Sequence, residues 1–163
     1  MKARLAERAR RLAAIVPGKL DQATGGYRYL ARMLAELRRT GWQIDLHELP
    51  GRFPDADRVA ARAAALALAR IPRRRATVID GLALPAFAGE LRELSRRKRC
   101  VALIHHPLAL ETGLASSLAR RLAAVEARLV REVARVIVTS RATASQVAAM
   151  GVAHERIMVV APG

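Results

Sequence analysis

Two histidines and a proline, His105-His106-Pro107, follow directly on the apolar run Cys100-Val101-Ala102-Leu103-Ile104. Titratable rings at the end of such a run need partners or solvent, and an imidazole in a cleft can donate, accept or carry a proton near neutral pH. Glu111 follows closely and can orient an imidazole or accept from a ligand hydroxyl. The second group of interest is Thr24-Gly25-Gly26, placed to open a helix. Its glycines let a ligand approach the backbone closely, and the free amides of a helix start favour an anion such as a phosphate. The segment has neither the G-x-G-x-x-G nor the G-x-x-x-x-G-K-[ST] spacing, so a plain turn before a helix stays open as the alternative. Asp80-Gly81 reads as a helix-initiating turn in preference to a cleft-facing carboxylate, and Ser140 as a helix cap near the rim.

Other chemistries find no support. Adjacent histidines rarely share one ion, and His47 and His154 lack ligand spacing, so no metal is expected. There is no G-x-S-x-G elbow, and Cys100 begins the run that the histidines end, so no nucleophilic triad is indicated. A single cysteine excludes an intrachain disulfide and fits a reducing, cytoplasmic setting; its place in an apolar run makes it a buried structural thiol.

Positioning these groups requires a folded domain, and 163 residues with 52% hydrophobic and 26% charged side chains can build one. No apolar run reaches the roughly 18–20 residues of a membrane-spanning helix. Residues 1–11 form a basic N-terminal extension or helix without the apolar stretch of a secretory signal. The net charge is +15, concentrated at Arg73-Arg74-Arg75 and Arg96-Arg97-Lys98-Arg99. Such clusters could be solvated surface, or could meet an anionic membrane, a diphosphate substrate or nucleic acid. Nucleic acid is the least favoured, because 3% aromatic residues offer little stacking surface.

Short aliphatic runs alternate with segments of helical period, the pattern of successive βα units. Strands are expected over 12–16, 43–49, 76–79, 100–104, 136–139 and 157–160. Helices are expected over 27–40, 55–69, 85–97, 114–132 and 140–150, with Asp55 or Asp57 and Ser140 or Thr143 as caps. The fold class is therefore α/β: a Rossmann-like, doubly wound parallel sheet of about six strands over 12–163, expected in the order 3-2-1-4-5-6. That order makes the first and fourth strands neighbours at the switch point, so the glycine loop and the His-His-Pro turn should face each other. The chain ends straight after its last expected strand, as at a linker.

Taken in order, the motifs resemble the N-terminal domain of GT-B-fold, family-4-type glycosyltransferases. They are Ile15-Val16-Pro17-Gly18, Thr24-Gly25-Gly26-Tyr27, Leu49-Pro50-Gly51-Arg52-Phe53-Pro54, Asp80-Gly81-Leu82-Ala83, Leu103-Ile104-His105-His106-Pro107-Leu108, Glu111-Thr112, Val138-Thr139-Ser140 and the run from Arg156 to Gly163. The resemblance implies retaining transfer of a sugar from a nucleotide-diphosphate donor to a glycan, lipid or small-molecule acceptor. Gly25 and Gly26 would approach the donor diphosphate and His105 the donor sugar, with His106 and Glu111 matching neighbouring positions less securely. No cofactor beyond the nucleotide-sugar substrate is implied. A C-terminal donor-binding domain, absent from this chain, would carry most nucleotide contacts, so the chain alone is expected to be inactive. The alternatives are a non-catalytic module that pairs with a separate donor domain, a Rossmann-type oxidoreductase and a basic nucleic-acid-binding protein. Peripheral association with the inner face of a membrane is a further expectation from the positive charge.

Overall fold

A computed structural model describes residues 10–162. The expectation of a leading basic extension therefore falls, for residues 1–9, outside the described residues. The six strands are β1 (Arg11–Pro17), β2 (Gln43–Leu49), β3 (Ala76–Asp80), β4 (Cys100–Ile104), β5 (Arg135–Val138) and β6 (Ile157–Val159). All pair in parallel, each neighbour with the next. The helices are α1 (Gly25–Arg39), α2 (Arg58–Arg70), α3 (Leu91–Arg96), α4 (Ser116–Glu132) and α5 (Arg141–Ala149). The α/β class and the parallel, Rossmann-like sheet are as the sequence implied.

The strand order is not. It runs β2-β1-β3-β4-β5-β6, so the winding reverses between β1 and β3, and β3 separates β1 from β4. The two layers of core follow this order. On one face, Leu30 and Leu34 of α1 pack over Ala14, Val16, Val78 and Leu103. The other face takes α2, α4 and the strand residues Ala13, Ile15, Ile79, Ala102, Ile104, Val136 and Val138. Among the described helices only α1 lies on the first face, because the chain steps one strand outward and then crosses back. Each fully buried leucine of these layers contributes about 2 kcal/mol.

A second departure lies after β3. Instead of one helix over 85–97, the chain forms a 3-10 helix, Gly81–Phe87, and then the short α3. Pro85 has no amide to continue an α-helical ladder, and the segment closes on short-range bonds, Ala88 N–H to Pro85 O at 3.2 Å and Glu90 N–H to Phe87 O at 2.8 Å. Nearly all of the 3-10 helix is buried, so it serves as a floor between the sheet and α2.

Caps fall where short polar side chains allow. Asp57 accepts from Ala60 N–H at 2.9 Å to start α2, and Ser140 accepts from Thr143 N–H at 3.0 Å to start α5. Arg97, 2% exposed, donates to Ile71 O at 3.0 Å and to Leu68 O at the end of α2, and pairs with Glu93 at 2.9 Å. One cation of the second basic cluster is thus committed to the fold. Cys100 is fully buried, and burial pushes its thiol up to about 12. No helix among the described residues is long and apolar enough to cross a membrane.

Candidate functional site

The carboxyl ends of β1, β3 and β4 open into a cleft of about 750 Å³. Gly25, Gly26, His105, His106 and Glu111 all line it, so the structure brings the five sequence-derived candidates together. They meet across β3, which the expected strand order had placed elsewhere. The exit from β3 makes this possible by staying low. A Cβ on Gly81 would lie 3.1 Å from both the Leu103 carbonyl and Ile104 Cδ1, so the backbone there lies flat against β4.

Thr24 occupies the N-cap of α1 without a side-chain bond to the first turn, and that turn holds no acidic residue. The opening amides of α1 are therefore left to the cleft, with the positive end of the helix dipole behind them. Gly26 sits against the His105 ring, with a Cβ position only 3.1 Å from Cδ2, whereas a Cβ on Gly25 would meet nothing within 4 Å. The β1 exit is tied down beneath them. The buried Tyr27 hydroxyl donates to Pro17 O, and Gly18, at φ +63°, donates to Leu49 O at 2.8 Å. Burial, with the nearby Asp80 charge, pushes the Tyr27 phenol up to about 12, so it remains a neutral donor.

The two histidines point to different partners. His105 Nε2 is buried without a hydrogen-bond partner and lies 3.7 Å from Asp80 Oδ2, beyond hydrogen-bond reach. Tyr29 meets the same ring edge-on, with centroids 5.4 Å apart. The His105 carbonyl accepts from the hydroxyls of Thr139 and Thr143, each at 3.1 Å, which pins the end of β4 to the β5–α5 turn. His106 is half exposed, and its Nε2 lies 2.8 Å from Glu111 Oε1. Glu111 thus stands within hydrogen-bond distance of an imidazole, one of the two arrangements expected for it. Among the described residues, no three His, Cys, Asp or Glu side chains converge as metal ligands would.

Asp80 is the helix-initiating turn and is not itself among the cleft-lining residues. Its Oδ1 accepts from Leu82 N–H at 2.9 Å as a cap, while Oδ2 faces His105 from a position 4% exposed. Ser140 is a cap and is not among the cleft-lining residues. Sequence reasoning missed the roles of Tyr27 and Glu126, and named Thr143 only as a possible cap. Glu126 is fully buried in α4 and accepts from Leu108 N–H at 3.0 Å. Its signal was available: it falls in the stripe of Leu122, Leu129 and Val130, the buried side of the helix.

The two basic clusters lie elsewhere. Residues 73–75 and 96–99 precede β3 and β4, at the opposite edge of the sheet from the cleft. No lysine or arginine lines the cleft among the described residues, so these clusters do not meet a diphosphate bound there.

A parallel α/β domain of the Rossmann-like type, with polar loops gathered at the switch point, is a ligand-binding domain of a familiar kind. The profile described as Glycosyltransferase Family 4 matches residues 23–163, and the chain belongs to that family. None of the curated proteins compared with it matches. A domain of this family works between a sugar donor and an acceptor.

Proposed function

We propose that this chain is the N-terminal, acceptor-side part of a retaining glycosyltransferase that moves a sugar from a nucleotide-diphosphate donor, of hexosyltransferase type. The observation that carries the reading is the meeting of the α1 amides with His105 and the His106–Glu111 pair in one cleft. Backbone N–H groups at Gly25 and Gly26 would stabilise charge growing on the departing diphosphate. His105, whose ring lines the cleft, would meet the donor sugar. His106, oriented by Glu111, would hold the acceptor hydroxyl near the reacting carbon.

Among the described residues, no lysine or arginine lines the cleft to offset two phosphates. The proposal therefore assigns diphosphate neutralisation to a donor-binding domain, joined to this one or supplied separately. The expected outcome of incubating the chain alone with a panel of nucleotide sugars and acceptors is hydrolysis and transfer at background level. Robust transfer by the chain alone overturns the division of labour. The basic clusters at the amino ends of β3 and β4 are proposed as the surface for peripheral contact with an anionic membrane in the cytoplasm, leaving the cleft turned toward solution.

A further inference from the structure

We infer that Glu126 is a positioning residue of the cleft: from the buried side of α4 it holds the Leu108 amide and thereby sets the His106–Glu111 pair. The chain between the two cleft residues is a single tight turn. Leu110 N–H donates to Pro107 O at 3.0 Å and Glu111 N–H to Leu108 O at 3.2 Å. The first amide of such a turn, that of Leu108, has no partner within the turn itself. Leu108 is 1% exposed, so water does not replace the missing acceptor. Glu126 Oε2 supplies it at 3.0 Å from eighteen residues further along the chain.

The position is costly in every other respect. Glu126 is 0% exposed and lies between Leu122 and Leu129 on the buried side of α4. Its second oxygen, Oε1, is buried with no hydrogen-bond partner. Burial drives the carboxyl up to about 7, the Leu108 amide opposes the shift, and the charge of Glu111 adds to it. A leucine here would remove the desolvation penalty but strand the Leu108 amide. What the carboxyl contributes is therefore the geometry of the turn, at whose two ends stand His106 and Glu111, 2.8 Å apart. Neither side chain has a described hydrogen bond that would fix it to the body of the domain. Their consequence for sugar transfer rests on the function proposed above; the positioning itself does not.

The test uses the labelled full chain and its Glu126→Gln and Glu126→Met variants. Glutamine keeps an acceptor for Leu108, and methionine fills similar volume without one. Amide exchange at Leu108 should rise about tenfold or more in Glu126→Met and stay near the parent rate in Glu126→Gln. The nuclear Overhauser contacts between His106 and Glu111 should weaken in the former and return in the latter. Equal exchange and unchanged contacts in a folded Glu126→Met chain overturn the inference. If that variant does not fold, the parent chain decides: the Leu108 amide shift must follow the Glu126 carboxyl carbon through one titration midpoint, and independence of the two overturns it. Transfer from a nucleotide sugar, assayed separately with the parent chain and a donor-binding domain supplied, distinguishes failure of the functional reading from failure of the positioning.

Discussion

At Gly25 and Gly26, two adjacent glycines answer to different neighbours. The site of a Cβ on Gly25 is open, while on Gly26 it presses the His105 ring at 3.1 Å. Gly25→Ala should leave the unfolding free energy within about 0.5 kcal/mol of the parent, because nothing in the folded chain is displaced. The same change should weaken nucleoside diphosphate binding by tenfold or more once the donor domain is present, since a methyl group would stand where the phosphate approaches the backbone. Calorimetric titration that shows parent-like affinity removes Gly25 from the donor site. Gly26→Ala should instead cost about 1 kcal/mol and displace His105. Glu126 gives a second prediction at this scale. Its folded carboxyl titrates near 7 against an ordinary 4.5, because burial disfavours the charge. The folded state thus binds more protons in that window, so stability falls as pH rises from about 4.5 to about 7 and levels off above it. The drop is at most about 3 kcal/mol. Urea midpoints at pH 5 and pH 8 should differ in the parent chain, and this contribution to the difference should vanish in Glu126→Gln.

Helix ends and strand ends decide whether those residues face one another. The cap of α5 does double service: Ser140 accepts from the Thr143 amide, and Thr143 Oγ1 then reaches the His105 carbonyl. Ser140→Ala should lower stability by about 1 kcal/mol. Thr143→Val should also leave the His105 carbonyl one donor short, visible as a shifted His105 imidazole signal; an unmoved signal severs that link. The strands and most helix boundaries were legible because apolar runs of four to seven residues and amphipathic periods are local properties. Asp57 and Ser140 were legible as caps for the same reason. The order of the strands was not, because each βα unit carries the same local pattern whichever side of the sheet it returns to. The alanines of α2 suit either face. The candidate cleft was nevertheless found, since His105 and Glu111 interrupt apolar surroundings by type alone. Glu126 escaped because a glutamate on a helix ordinarily marks the wet side, and only its spacing from Leu122 and Leu129 betrays it.

Over the whole molecule, the two basic clusters and the cleft are separated by the length of the strands. Arg11, Arg75 and Arg99 stand just before or at the beginnings of β1, β3 and β4, while the cleft is formed at the other ends. Replacing Arg74, Arg96, Lys98 and Arg99 by glutamate should leave nucleoside diphosphate affinity within about twofold, because the separation exceeds a Debye length at physiological salt. The same replacements should abolish flotation with vesicles rich in anionic lipid. Retained flotation would assign membrane contact to another surface. Cys100 offers a different kind of handle. It is the sole sulfhydryl of the sequence, sealed in the middle of the sheet with its ionisation suppressed by burial. A disulfide reagent in excess can reach it only when the sheet comes apart, so the colour it releases keeps time with opening of the core. The protein carries its own unfolding clock, and any cysteine added at the cleft rim can be labelled without disturbing it.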